Sequence, residues 1–213
     1  MTTTRRTPSR TRPVLGALAS SALLLAHALL AASPAGAAGQ AHRVVHRDAR
    51  ADVFLFPEGS ETGQPAPGDR ATDVVKTVVD HRADQLVVQT RVRQLSRAGY
   101  RLMIAEILAS DGKRYQLVVD YSTKPISSRV SLTRFASDAE VSCPGATWTV
   151  DRSANRVEGS VPTSCLGDPE WVRVGVGVVS APLSLTSSAA DDSRTEGPIG
   201  EDHLELGPVQ PHA

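Results

Sequence analysis

Aromatic residues and nucleophile motifs are scarce in this chain. Aromatic side chains make up 4% of the 213 residues, too few for a broad platform of exposed rings. A nucleophile elbow needs Gly-x-Ser-x-Gly, and the Gly159-Ser160 pair lacks the rest of that motif. The only two cysteines are expected to be oxidised and are therefore unsuited to nucleophilic catalysis. We predict a protein that is not an enzyme.

Long hydrophobic runs are absent except near the N-terminus. Four arginines in the first twelve residues precede an apolar run over 14–32, and the small tripeptide Ala35-Gly36-Ala37 follows. This order predicts a secretory signal peptide over 1–37. An uncleaved membrane anchor is the alternative, because the run is long enough to span a bilayer. With cleavage we expect a secreted or envelope protein that has no membrane span.

Basic charge is also in short supply once the signal peptide is removed. Residues 1–37 hold four arginines and no acid, so of 23 basic and 23 acidic residues, 19 basic and 23 acidic remain. This mild acidic excess predicts no broad basic surface and no nucleic-acid partner. Twenty arginines against three lysines are typical of a GC-rich genome, which favours an actinobacterial source.

The two cysteines, Cys143 and Cys165, allow one pairing. Export to an oxidising compartment predicts that they form a disulfide bond. The closed loop holds 23 residues, for which the chain-entropy model gives roughly 3 kcal/mol of stabilisation. The bond is expected to be structural, since no spacing suggests a redox pair.

Alternating apolar residues predict an all-β chain. In the run WVRVGVGVV the four valines at 172, 174, 176 and 178 share one face, which indicates a strand lying on a core. About nine such strands are expected, at 51–56, 72–81, 85–95, 100–108, 115–121, 126–135, 147–151, 156–161 and 171–179. This spacing predicts an antiparallel β-sandwich domain over 51–182. Residues 38–50 are predicted to be a flexible lead-in and 183–213 a mobile tail. The alternative for the tail is that HLEL pairs with an exposed sheet edge.

Four aspartates near the ends of one predicted hairpin suggest a calcium site, and no other cofactor is expected. They are Asp69, Asp73, Asp80 and Asp84. Calcium prefers several carboxylate oxygens, but acids also cap turns and keep edges soluble, and no Asp-x-Asp-x-Asp run is present. His42 and His46 have a helical metal-ligand spacing, although their polar surroundings favour a solvated leader.

Trp148 and Trp171 are the residues best suited to stack on a sugar ring. Each also flanks the cysteine unit, and tryptophan packed against a disulfide is a recurrent core feature of sandwiches. An exposed ring would favour glycan stacking, and two buried rings would favour a protein partner.

The segments TDVVKTVVDHRADQLVVQTRVR and TSCLGDPEWVRVGVGV carry a family resemblance. The chain resembles secreted actinobacterial proteins without an assigned function, and its strand order is similar to that of DOMON-like, carbohydrate-binding β-sandwiches. The resemblance implies a fold and transfers no activity. From the residues we expect a secreted, non-catalytic binding module for a cell-wall or extracellular glycan, with Trp148 or Trp171 stacking on the sugar. The alternative is a module that binds an envelope protein through a sheet edge or the tail.

Overall fold

The computed structural model describes residues 42–95, 99–123, 126–182, 184–199 and 203–213, with only the backbone described for Thr123 and Ile126. These residues belong to one compact unit, Gly39–Ala213. The predicted signal peptide over 1–37 lies outside the described residues. Among the residues described, no helix is long and apolar enough to cross a membrane.

Fourteen strands and one 3₁₀ turn, Thr163–Leu166, make up the described regular structure. The strands are, in chain order, β1 Arg43–His46, β2 Phe54–Pro57, β3 Gln64–Pro65, β4 Val74–His81, β5 Gln85–Val92, β6 Tyr100–Ala109, β7 Arg114–Thr123, β8 Ile126–Arg134, β9 Ala139–Glu140, β10 Thr147–Asp151, β11 Arg156–Pro162, β12 Trp171–Ala181, β13 Ser187–Asp192 and β14 Gln210–Pro211. The all-β prediction is confirmed. All nine predicted strands are present, and five short ones are added: β1, β3, β9, β13 and β14.

The strands form two antiparallel sheets. The five-stranded sheet has the order β1-β4-β5-β11-β10, and the nine-stranded sheet has the order β3-β2-β13-β12-β6-β7-β8-β9, with β14 also paired to β12. The sheets approach closely at Gly159 of β11, where an added Cβ would lie 2.9 Å from Val119 Cγ2 of β7. A side chain at 159 would therefore push the sheets apart.

The core lies between the sheets and consists largely of alternate residues of the long strands. The predicted valine face of β12 is confirmed, because Val172, Val174, Val176 and Val178 are all buried in this core. On β5 the face that carries Leu86 and Val88 is buried, whereas Arg91 on the opposite face is exposed. The core therefore follows the period-two pattern expected of half-buried strands.

The predicted flexible lead-in is wrong for the residues of β1. Arg43–His46 pairs with β4, and Val44 lies opposite Val79. The segment is too short and polar to show a pattern by itself. Pairing with the edge of a long neighbouring strand supplies the hydrogen bonds that order it.

The predicted mobile tail is also wrong for most of its length. β13 pairs with both β12 and β2, and Leu204 of HLEL is buried on β12 without forming a strand. An added Cβ at Gly175 would lie 2.9 Å from the carbonyl oxygen of Glu205, and one at Gly177 would lie 2.8 Å from Leu204. The C-terminal segment therefore packs on the face of β12 that carries Gly175 and Gly177.

The predicted disulfide bond is confirmed between Cys143 and Cys165, whose Cα atoms are 5.7 Å apart. Cys143 precedes β10, and Cys165 lies in the 3₁₀ turn between β11 and β12. Both cysteines pack against the core while remaining partly buried. The bond therefore ties the β10–β11 hairpin to the entry of β12.

Candidate anion-binding groove

Three cations stand side by side on the outer face of the five-stranded sheet. Arg91 of β5 lies directly opposite Arg156 of β11 on one side and Lys76 of β4 on the other. Neighbouring strands are about 4.8 Å apart, and like charges directly opposite each other destabilise a sheet. The fold alone gives no reason for this row, which an anionic ligand would neutralise.

Further cations extend the row into a groove of about 530 Å³. Six cationic residues line it, namely Arg47, Arg50, Arg70, Lys76, Arg91 and Arg93, and its described lining includes no acid. Arg47 and Arg50 lie in the segment after β1, and Arg70 lies in the loop before β4. Lys76 is on β4, Arg91 is on β5, and Arg93 directly follows β5. The groove thus concentrates positive charge on one face of a nearly neutral chain.

Most of these cations are free of ion pairs. Of the six groove cations, only Arg93 pairs with a carboxylate in the described part of the chain, with 2.6 Å between its Nη1 and Asp73 Oδ2. The other five groove cations form no salt bridge there. Their charge is therefore available to a ligand, with solvent screening as the main opposing effect.

A second depression of about 280 Å³ continues the basic surface toward β11. Lys76 and Arg91 line both depressions, and Gln89 and Arg156 complete the polar lining of the second. Arg156 Nη2 is 3.4 Å from Asp151 Oδ2, a pair in which both side chains are partly exposed. Such surface pairs contribute little energy, so Arg156 can still attract an anion.

Residues able to hold a metal lie beside the groove. One carboxylate oxygen from each of Asp48, Asp52 and Asp191 lies within 4.8 Å of the others. Asp48 and Asp52 alternate with the groove residues Arg47, Arg50 and Ala51 along the segment that joins β1 to β2. Acidic and basic sites therefore share one short piece of chain.

The surroundings of these acids disfavour their ionised forms. Burial raises the pKa of Asp48 to about 7, and the nearby Asp52 carboxylate adds to the increase. Burial also raises the pKa of Asp191 to about 8; the hydrogen bond from Val74 N–H opposes this, and the other carboxylates, including Asp73, add to it. The pKa of Asp52 is raised as well, chiefly by burial.

The four aspartates of the predicted calcium site are not gathered into a metal-ligating group within the described ranges. Asp69 Oδ1 accepts the N–H groups of two following residues, and Asp80 pairs with Arg82 at 2.9 Å. Asp84 is exposed in the β4–β5 connection. Asp73 alone lies beside the acidic group, where it accepts hydrogen bonds from Ala51 N–H and Arg93.

The two tryptophans lie on different sheets, so they do not form one platform. Trp148 is on β10 at one end of the five-stranded sheet and is 39% exposed. It is opposite Gly159, whose face contacts the other sheet, so its ring lies at the rim of the space between the sheets. Trp171 is half-buried on β12, opposite Pro211.

His42 and His46 have no helical spacing in the folded protein. His42 immediately precedes β1 and His46 ends it. Four residues of strand span about 13 Å, which is too far for both side chains to bind one metal ion with the usual bond lengths. Burial, assisted by Arg194, lowers the pKa of His46.

Sequence reasoning missed the groove and the acidic group. Arg91 and Arg93 lie in the predicted strand over 85–95, which supplies two of the six groove cations. Lys76 and Arg156 join it only through strand register. Asp48 and Asp191 belong to segments that were expected to be unstructured, so nothing in the local pattern brought them together.

Comparison with known proteins finds no matching family model, no matching curated protein and no matching solved structure. The residues of the site therefore carry the functional assignment.

Proposed function

We propose that this protein is an exported, non-catalytic binding module that recognises an acidic glycan of the cell envelope through its basic groove. The observation that carries the proposal is the row of Lys76, Arg91 and Arg156 in direct register on three neighbouring strands. Evenly spaced cations on a rigid sheet suit a polymer that repeats carboxylate or phosphate groups along its length. The sugar component is the ligand class predicted from Trp148 and Trp171 in the sequence.

The chemistry of the groove supports anion recognition. Guanidinium groups bind carboxylate and phosphate oxygens in pairs, and five of the six groove cations are arginines. A sheet face holds these groups at fixed spacing, which reduces the entropy lost on binding. Groove cations without a salt bridge also have no existing ion pair to break before they contact a ligand.

Export is part of the proposal, and the disulfide supports it. Disulfide bonds persist in oxidising compartments, and the bond between Cys143 and Cys165 fits delivery by the signal peptide predicted over 1–37. An envelope polymer would be the nearest abundant polyanion at that destination.

The ligand side of the proposal is tested by co-sedimentation. The purified protein is mixed with insoluble actinobacterial cell-wall glycan, and with the same material after hydrofluoric acid has removed its phosphodiester-linked polymers. We expect the protein to pellet with the intact wall, to be released by salt, and to pellet much less with the stripped wall. Equal pelleting with both would contradict recognition of phosphate groups, and pelleting that salt does not release would contradict recognition of acidic groups of either kind.

A second candidate is an envelope protein bound along the edge of β10. This strand ends the five-stranded sheet, and Thr147, Trp148 and Thr149 are consecutive exposed residues on it. An exposed edge can accept an added strand. Cross-linking from position 149 to one defined protein in intact envelopes would support this candidate, whereas cross-linking to glycan alone would reject it.

A further inference from the structure

Three aspartates from distant parts of the chain meet where the two sheets are joined. Asp48 follows β1 of the five-stranded sheet, Asp52 precedes β2 of the nine-stranded sheet, and Asp191 lies near the end of β13. Their carboxylate oxygens lie within 4.8 Å of one another. Oxygens that surround one calcium ion at 2.3–2.6 Å would be up to about 5 Å apart, so the spacing fits a shared ion.

Buried oxygen atoms without hydrogen-bond partners distinguish this group from a solvated acidic patch. Asp191 is 1% exposed and Asp73 beside it is fully buried. In the described structure, Oδ1 of both residues, Oδ2 of Asp48 and both carboxylate oxygens of Asp52 are buried without a partner. An unpaired buried acceptor normally costs about 1–3 kcal/mol, so five in one place indicate a missing electropositive partner.

Nearby cations do not supply that partner. Arg93 contacts Asp73 through Oδ2, the oxygen that also accepts Ala51 N–H. The other oxygen of Asp73 stays unpaired. Arg194 interacts favourably with Asp48, yet forms no salt bridge among the described residues. Neither arginine therefore pairs with the unpartnered carboxylate oxygens.

We propose that Asp48, Asp52 and Asp191 bind a Ca²⁺ ion, with Asp73 completing or supporting the ligand set. An all-oxygen set of carboxylates is the donor chemistry of hard cations, whereas zinc favours nitrogen and sulfur. Ligands drawn from separate parts of the chain, two from residues 47–53 and one from β13, suit the adaptable coordination of calcium better than the strict octahedron that magnesium demands.

The ion would fasten the crossing between the two sheets. Residues 47–53 carry the chain from β1 to β2, and Ala51 within them has a φ of 69°, a strained conformation for a residue with a side chain. Val74 N–H of β4 already donates to Asp191 Oδ2 of β13 at 2.7 Å across the sheets. Calcium would add a second, stronger link at the same end of the sandwich.

The test is calorimetric titration of the purified, chelator-treated protein with CaCl₂, together with thermal melts in CaCl₂ and in chelator. The variants are Asp48→Asn and Asp191→Asn, which keep the shape of the side chain and remove one charge each. Asp84→Asn is the matched control, because it removes an exposed aspartate outside the group.

We expect one binding event in the wild type and in Asp84→Asn, and an affinity lowered about tenfold or more in both ligand variants. At one hundred times the dissociation constant, calcium should raise the melting temperature by about 5–10 °C. In chelator, Asp48→Asn should melt at or above the wild type because it relieves repulsion.

Several outcomes would overturn the site. These are no heat and no thermal shift with calcium, binding retained by both ligand variants, or loss of binding in Asp84→Asn. An equal response to MgCl₂ at the same concentration would overturn the assignment to calcium. If Asp191→Asn fails to fold, the half-buried Asp48 variant still decides the question.

Discussion

Replacing Gly175 by alanine should detach the C-terminal segment from the nine-stranded sheet. The added Cβ would lie 2.9 Å from the Glu205 carbonyl oxygen and 2.9 Å from Leu204 Cβ. Neither atom is the far end of a flexible side chain, so the backbone of the segment has to move. Alanine at this position strains no backbone angle of β12 itself, which makes the substitution a test of the contact alone.

The expected loss in the free energy of unfolding follows from the contacts that the C-terminal segment makes with the sheet. Overpacking of this kind costs about 1–3 kcal/mol when the structure adapts. Complete detachment would expose Leu204, worth about 1.5–3 kcal/mol. It would also break the hydrogen bonds from Gly207 N–H to Val174 O and from Arg173 Nε to Gly207 O, each worth about 1 kcal/mol. We therefore expect the free energy of unfolding to fall by about 1–3 kcal/mol if the segment only shifts and by about 3.5–5 kcal/mol if it detaches.

Urea denaturation measures this loss, and limited proteolysis locates it at residues 203–213. Gly68→Ala is the matched control, because no atom lies within 4 Å of its added Cβ and its φ lies outside the left-handed region. That variant should be unchanged or up to about 1 kcal/mol more stable. If Gly175→Ala proves as stable and as protease-resistant as Gly68→Ala, the packing of the tail on β12 is refuted.

Two further predictions concern the disulfide and a buried histidine. Replacing Cys143 and Cys165 together by serine should lower the free energy of unfolding by about 3 kcal/mol, measured by urea denaturation; a change below about 1 kcal/mol would contradict a structural role. Burial, with weaker repulsion from His42 and His212, lowers the pKa of His81, whose Nε2 is buried without an acceptor in the described structure. At this histidine the native state binds fewer protons than the unfolded state, so its contribution lowers stability as pH drops below the ordinary pKa of 6.5. The raised pKa values of Asp48 and Asp191 act in the opposite direction in both proteins, so melting curves between pH 7 and 5 should show the wild type losing stability relative to His81→Gln; identical slopes would reject the assignment.

The long strands were predictable because each carries its own periodic signal. The valines of β12 and the alternation in β5 mark a buried face without help from other parts of the chain. β13 could not be predicted in this way. Its sequence, SSAADD, has no apolar alternation, and it is ordered by pairing with β12 and β2 rather than by its own propensity.

One feature of the sequence indicated that another segment packs on the sheet, and it lies in β12 rather than in the C-terminal segment itself. Gly175 and Gly177 interrupt an otherwise β-branched strand, and glycine in a strand often marks the close approach of another backbone. The sequence pattern assigned only the valine face of this strand and made no prediction for the glycine face. Only the position of Leu204 shows that the face is covered.

The two candidate sites depended on contacts between remote segments. Arg156 reaches Arg91 through the pairing of β11 with β5, which no local pattern specifies. Asp191 meets Asp48 because β13 and the segment after β1 end at the same side of the sandwich. The composition predicted no broad basic surface, because a small net charge does not show how the charges are distributed over the surface.

The most direct test of the account removes two charges from the centre of the groove. Lys76→Gln with Arg91→Gln is compared with Lys113→Gln with Arg134→Gln, which removes one lysine and one arginine from exposed positions outside the groove. Affinity for intact cell-wall glycan is measured by co-sedimentation after melting curves show that both variants are at least as stable as the wild type. At about 1 kcal/mol for each cation near an anionic surface, the groove variant should bind about thirtyfold more weakly. The control should bind like the wild type. Equal affinities for the two variants would contradict the assignment of the basic groove as the binding site.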